Sequence, residues 1–292
     1  MNILITGGSG FIGRNLIDHL SEKDTVLAPR HSELELLDEN AVRRFFKKNI
    51  VDVVIHSAVK PGHRNAKDFS NQLYSNTRMF FNITRNADRY KKMIFIGSGA
   101  VYDMRAYQQK MKEEYFDTSV PADEHGFSKY IIAKQIEQSN NTVELRVFGI
   151  FGKYEDYAIR FISNAICKIL FDLPITIRQN RRFDYLYIDD LMPVVDHFIG
   201  AKGKYTAYNV TPNDTIDLYA IAEKVKAKSG KDVKIVLAEP GLGPEYSGDN
   251  ARLKGEIPGI DFTPLDQAID RLYAWYQSNM HLLDRNKLLI DK

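Results

Sequence analysis

Apolar and β-branched residues fall in short runs along the first half of the chain, and between the runs they recur with the spacing of amphipathic helices. Runs at residues 3–5, 25–28, 51–56, 93–97 and 143–148 predict strands, and residues 13–20, 39–48, 73–90 and 128–139 predict the helices between them. Apolar strands alternating with helices are the pattern of a parallel sheet covered on both faces. Right-handed crossovers then gather the loops that follow the strands at one edge of that sheet. Beyond Phe148 the regularity loosens. Helices are expected at 159–170, from Leu191, at 218–229 and at 268–278, with strands near Ile175, at 185–188, ending at Asn209–Val210 and at 233–237. The Gly/Pro-rich stretch 239–248 predicts a loop. The expected architecture is α/β: a doubly wound parallel sheet in residues 1–150, and a smaller C-terminal α/β lobe, 151–292, that shares some elements with it.

The first strand ends at Thr6 and opens into Gly7, Gly8, Ser9, Gly10 and Gly13. The spacing reads as G-x-G-x-x-G from Gly8 or as G-x-x-G-x-x-G from Gly7. In either register glycines permit a tight turn, close approach of backbone to a pyrophosphate, and close helix–strand packing. The helix that follows aims its unpaired N–H groups at the phosphates. A glycine turn after a strand and before an amphipathic helix makes the sheet Rossmann-type and points to a bound dinucleotide.

Composition narrows the partners. A formal net charge of +2 over 292 residues gives no broad basic field for nucleic acid. The lone cysteine, Cys167, lies in an apolar-periodic stretch and reads as a buried helix thiol, not a nucleophile or half of a disulfide. There is no apolar run long enough to span a bilayer and no signal-peptide pattern, so a cytoplasmic location and no membrane partner are expected. No metal is expected at the site, and a homodimer is an allowed assembly.

Several further segments occur in a fixed order: VDVVIHSA at 51–58, IGSGAVYD at 96–103, HGFSK at 125–129, LRVFGIFG at 145–152, RFDYLYIDDL at 182–191 and YNV at 208–210. Together with the glycine turn they resemble the extended short-chain dehydrogenase/reductase family, whose members act on nucleotide sugars, and the resemblance runs to about Tyr276. Locally, residues 30–46 and 55–62 look closest to GDP-fucose synthases and dTDP-4-dehydrorhamnose reductases, which reduce a 4-keto sugar. The resemblance implies a nucleotide-sugar reductase or epimerase acting at a keto carbon, with a nucleotide sugar as partner. It assigns Gly7, Gly10, Phe11, Ile12, Gly13, Arg14, Leu37, Asp38, Ser57, Ala58 and Lys129 to the cofactor.

An NAD-binding unit of this type usually ends its second strand with an acid that holds the ribose hydroxyls. Here the position reads Ala28-Pro29-Arg30-His31, with no carboxylate before Glu33. Arg30 offers a planar fork suited to a 2′-phosphate, with Arg14 as a second candidate, and this favours NADP over NAD. The alternative is that Arg30 is a solvated loop charge.

Ketone reduction needs a proton donor near the carbonyl oxygen and hydrogen bonds to the developing alkoxide. The family uses a Tyr, a Lys four residues later on the same helical face, and a Ser or Thr on a neighbouring strand end. Ser98 and Lys129 fit these roles; the Tyr position is His125. A second Tyr-x-x-x-Lys spacing, Tyr130 with Lys134, is turned by roughly 140° from the first and should face away from Ser98. Three readings of His125 stay open: a protonated imidazole acting as acid, a neutral one acting as base, or a site that has lost proton transfer. On the substrate side, Lys60 and Arg182 are candidates, Arg182 because the family's diphosphate-binding Arg slot is occupied by Phe183. Asn76 reads as a packed polar residue, Gly149 replaces a family Asn, and Asp189-Asp190 read as caps of the helix from Leu191.

Overall fold

The computed structural model describes residues 1–62, 68, 70–212 and 214–290. The first half runs β1 (Asn2–Thr6), α1 (Phe11–Leu20), β2 (Thr25–Leu27), α2 (Glu39–Lys48), β3 (Val53–His56), α3 (Gln72–Thr84), β4 (Lys92–Ser98), α4 (Glu124–Glu137) and β5 (Thr142–Val147). The second half continues with β6 (Gly149–Phe151), α5 (Phe161–Leu170), β7 (Ile175–Asn180), β8 (Arg182–Phe183), β9 (Tyr185–Tyr187), α6 (Ile188–Gly200), β10 (Ala207–Val210), β11 (Ile216–Asp217), α7 (Leu218–Ser229), β12 (Ile235–Leu242), α8 (Ala251–Glu256), α9 (Leu265–Ser278) and α10 (Arg285–Leu288).

Among the described residues the main sheet has the order β10-β5-β4-β3-β1-β2, every neighbouring pair parallel. Alternate side chains of its strands serve opposite faces. Leu4, Val54, Met93 and Phe95 pack with Val42, Phe46, Phe80, Ile132 and Ile136 of α2, α3 and α4. Ile3, Ile5, Val53, Ile55, Ile94 and Ile96 pack with Leu16 of α1 and with Val194, Val195 and Phe198 of α6. This double burial explains the near-continuous apolar strands. The same apolar cluster runs on through α5, α7 and α9, so the core crosses residue 150 without a break. Cys167 is buried in it, and burial pushes its thiol pKa up.

The order reverses between β1 and β3: β2 lies on one side of β1, and all later strands of the sheet lie on the other. Loops that leave the carboxyl ends of β1 and β3 therefore diverge and open a crevice, the standard ligand position in open α/β sheets.

Among the boundaries that differ from the sequence expectation, four have an identifiable local cause. Helix α3 stops at Thr84, and Asn86 turns its amide back to the Asn82 carbonyl at 2.9 Å, so only a short 3-10 turn reaches Arg89. Helix α4 starts at Glu124 instead of Ser128, because Asp123 caps it through the Gly126 N–H at 2.8 Å. Strand β12 continues to Leu242 through Pro240, with its register shifted between Glu239 and Leu242; among the described residues it pairs only with β7, and such an edge tolerates proline. Helix α6 begins at Ile188, so Asp189 and Asp190 lie in its first turn and do not cap it. Asp190 instead accepts the Thr263 N–H at 2.9 Å and its hydroxyl at 2.6 Å, tying α6 to the segment before α9.

Candidate active site

At the crevice lies a cavity of about 1120 Å3. That exceeds the ~300–1,000 Å3 of most small-molecule pockets, as a dinucleotide with a second ligand would require. Its floor is the glycine turn. Gly7 has φ +75°, and a Cβ there would lie 2.7 Å from the Ala58 backbone nitrogen, so only glycine lets β1 and the loop after β3 meet. The Gly7 carbonyl accepts the Gly10 N–H at 2.9 Å, and the Ser57 hydroxyl donates to the Thr6 carbonyl at 2.7 Å. This leaves the first turn of α1, Phe11, Ile12 and Gly13, against the cavity with Gly10, Ser57 and Ala58. A narrow backbone cradle at a helix N-terminus fits a pyrophosphate. Leu37 also lines the cavity.

Three of the proposed cofactor residues do not line it. Arg14 is exposed on α1 with its guanidinium 4.1 Å above the Tyr154 ring, which draws it away from the crevice. Asp38 caps α2, accepting the Asn40 N–H at 2.8 Å. Arg30 is exposed, although its neighbours Pro29 and His31 are part of the wall. The nearby acids are engaged by the protein: Glu33 accepts the Arg30 N–H at 2.7 Å, and Glu35 accepts the Leu37 N–H at 2.8 Å and pairs with His31 at 2.8 Å.

Ser98, His125 and Lys129 line the same cavity. Ser98 ends β4 and caps the turn that follows, accepting the Ala100 N–H at 3.2 Å. His125 and Lys129 stand one turn apart on α4. Lys129 is 5% exposed, with its Nζ 3.4 Å from the Ile96 carbonyl and 4.7 Å above the Phe95 ring. Burial lowers its pKa to about 8. Burial and then the Lys129 charge lower the His125 pKa to about 4, so the imidazole is neutral at pH 7. Its Nδ1 is buried with no hydrogen-bond partner among the described residues. Tyr130 faces away, bonded through its hydroxyl to Asp117, and Tyr102 is turned into the core, where it bonds Asn209 at 2.8 Å and Arg146 at 2.9 Å.

The substrate side departs from the sequence expectation at one arginine. Arg182 points out, reaching the Thr215 carbonyl at 3.3 Å and hydroxyl at 3.2 Å, while Arg181 lines the cavity with a buried Nε that has no partner among the described residues. Strand alternation accounts for this, because Arg181 and Phe183 share one side and both reach the cavity. Lys60 lines the wall as expected; its Nζ pairs with Asp68 at 2.7 Å, and its N–H is held by Asn76 Oδ1 at 2.7 Å. Arg160, Tyr185 and Tyr246 also line it and escaped the sequence reading. Tyr246 sits in the stretch read only as a Gly/Pro-rich loop, where no periodicity marks which side chains turn inward. Lys60, Lys129, Arg160 and Arg181 make the cavity cationic, a chemistry suited to phosphates. No helix among the described residues is long and apolar enough to cross a membrane.

Known proteins share this plan. The chain is 24% identical to a dTDP-4-dehydro-6-deoxyglucose reductase of Escherichia coli over 92% of its own length and 96% of that protein's. Its fold is similar to that of a GDP-mannoheptose C4 reductase from Campylobacter jejuni solved with NADP bound (TM-score 0.83, 22% identity, 94% and 98% of the two chains). It is also similar to that of a UDP-glucose 4-epimerase from Thermotoga maritima (TM-score 0.82, 19% identity, 96% and 100%). The model of the NAD dependent epimerase/dehydratase family matches residues 3–211, which carry the glycine turn, Ser98 and Lys129. By that match and by the geometry of its crevice, the chain belongs to the NAD dependent epimerase/dehydratase family.

Proposed function

We propose that this protein is an NADP-dependent reductase of a keto sugar carried on a nucleoside diphosphate. The observation that carries the reading is the shared cavity: the glycine turn and the group Ser98, His125 and Lys129 face one another across it. The glycine turn and the N-terminus of α1 hold the dinucleotide pyrophosphate, and Arg30, exposed beside Pro29 and His31, takes the 2′-phosphate. When bound, the cofactor supplies a hydride to the carbonyl carbon. Ser98 donates a hydrogen bond to the carbonyl oxygen. Lys129, with its charge held in a buried setting, raises the positive potential at that oxygen as negative charge develops. Arg181, Arg160 and Lys60 bind the diphosphate of the sugar nucleotide.

His125 enters as a neutral imidazole. A protonated imidazole next to the Lys129 ammonium is disfavoured twice, by burial and by like charge. Its contribution is therefore an N–H hydrogen bond to the sugar, with no net charge.

Reduction is preferred to epimerisation because an epimerase needs a base as well as an acid, and an imidazole with its pKa near 4 is a weak base. The missing Tyr favours a second reading, a nucleotide-sugar binder without turnover. One experiment separates them: NADPH oxidation followed with GDP-4-keto and dTDP-4-keto sugars, beside thermal shift with the same compounds. Turnover is expected. Stabilisation without NADPH oxidation would leave the binder, and neither signal would sink both readings.

A further inference from the structure

Proton transfer needs a donor that reaches the substrate oxygen. His125 is neutral, Tyr130 is turned to Asp117, Tyr102 is closed into the core, and the Lys129 ammonium is directed at the Ile96 carbonyl and the Phe95 ring. One phenol does reach the reacting end of the cavity. We infer that Tyr246, on the loop after β12, replaces the missing helix tyrosine as the proton donor to the substrate carbonyl.

The placement rests on several contacts. Tyr246 and Ser98 line the same cavity, and both stand at the carboxyl end of β4. A Cβ at Gly99 would lie 2.5 Å from Tyr246 Oη, so the phenol is seated directly on the end of β4, and glycine at 99 leaves it room. The ring is fixed by stacking on Tyr107 at 5.3 Å and by packing on Phe148 at 5.2 Å. Its backbone is anchored too: the Tyr246 N–H donates to the Arg182 carbonyl at 2.9 Å. Tyr185, the other cavity tyrosine, is instead packed between Phe151 and Phe183. A rigid phenol seated at the end of β4, where Ser98 also lies, meets the geometric requirement for a general acid, since the group must reach the oxygen that Ser98 binds.

The step balances as follows. With a reduced nicotinamide in the cradle, hydride addition at the carbonyl carbon would move the C=O π pair onto oxygen. The Tyr246 O–H bond breaks, its proton goes to that oxygen, and the phenolate left behind is reprotonated from solvent. Burial keeps the phenol protonated before the step, and the nearby Arg160 charge offsets part of the cost of the phenolate it leaves.

This inference rests on the reductase reading, and the test separates the two. The full chain is assayed for NADPH oxidation with GDP-4-keto and dTDP-4-keto sugars. Tyr246→Phe keeps the ring and its packing, and should lower kcat by at least tenfold, about 10²–10⁴ being expected, with KM for NADPH nearly unchanged. Tyr130→Phe should leave turnover unchanged. Independently of turnover, a chain labelled with [13Cζ]tyrosine should lose one resonance in Tyr246→Phe, and Ser98→Ala should shift that resonance in the cofactor-free protein. A kcat loss below tenfold in Tyr246→Phe, or a Tyr246 resonance unmoved by Ser98→Ala, overturns the assignment and leaves the reductase reading standing. Absence of NADPH oxidation by the unmutated chain overturns both.

Discussion

Glu144 and Arg146, two residues apart on β5, form an ion pair of 2.8 Å with side chains 0% and 2% exposed. Strand alternation puts both on the same face. Arg146 also donates to Tyr102 Oη at 2.9 Å and lies 4.4 Å above the Phe116 ring. Removing one member of a buried pair leaves the other charge without compensation, which costs about 3–5 kcal/mol. Arg146→Met and Glu144→Gln should each lower stability by that order in urea unfolding, and the double variant should cost less than the sum. Additive losses would show that the two charges are not coupled.

The buried position of Lys129 costs the fold stability. Its pKa is lowered from 10.5 to about 8 by burial. The unfolded chain therefore holds this proton up to about pH 10.5, whereas the folded chain releases it near 8, so folding stability rises with pH between the two. Below pH 8 both states are charged and the burial penalty is complete. Lys129→Met should accordingly stabilise the protein at pH 7 by about 3 kcal/mol, because each tenfold loss of proton affinity on folding corresponds to about 1.36 kcal/mol. The same substitution should abolish NADPH oxidation. The gain in stability should vanish above pH 10.5. A destabilised Lys129→Met would contradict the account.

Two histidines make the fold acid-sensitive. His56 is buried, with its Nδ1 2.6 Å from the Thr6 hydroxyl, and burial lowers its pKa to about 3; His125 lies at about 4. The unfolded chain protonates both near 6.5, so stability is complete above that pH and is lost as pH falls toward 4. Unfolding at pH 5 should take up about two protons from these groups, and His56→Asn should reduce the uptake by about one. Calorimetry in buffers of different ionisation enthalpy reads this directly.

Cofactor preference tests Arg30. NADPH should bind at least about tenfold more tightly than NADH, as expected of one charge-assisted pair of about 1.5–3 kcal/mol. Arg30→Ala should remove most of the difference. Equal affinities in the unmutated chain would assign Arg30 to solvent.

The two neighbouring arginines should separate cleanly. Arg181→Ala should raise KM for the sugar nucleotide by about tenfold or more, since charged hydrogen bonds contribute ~1.5–3 kcal/mol. Arg182→Ala should change KM little, because its guanidinium is engaged by Thr215. The reverse ranking would return the diphosphate to Arg182.

Local chemistry decided what could be read from the chain. Helices α2 and α7 match their expected bounds, 39–48 and 218–229, because Asp38 and Asp217 each accept an N–H in the first turn. Strands β1, β3 and β4 are buried on both faces, so their apolar runs announce them. The glycine turn was marked by the residue types its geometry demands; Ser98 and Lys129 were singled out by the family resemblance, and they line the same cavity. The sequence reading preferred Arg182 within the 181–182 pair, although alternation along the chain into Phe183 selects Arg181. Tyr246 left no such trace, since its place at the end of β4 depends on a fold-level meeting of that strand with a loop far along the chain. Proline and glycine in residues 239–248 read as a break in structure, but they are carried in part by an edge strand.

The last strand of the main sheet bears on how the chain can be divided. Strand β10 pairs with β5, and the Asn209 side chain donates to the Met111 carbonyl at 2.9 Å and the Asp249 carbonyl at 3.2 Å while accepting from Tyr102. A fragment ending near residue 150 would lose that pairing and expose β5, its Glu144–Arg146 charges and a row of unpaired backbone groups, an invitation to intermolecular strand addition. The dinucleotide half is thus a unit of chemistry without being a unit of manufacture: expressed alone it should aggregate, and any split or circularly permuted version must keep residues 207–210 beside β5.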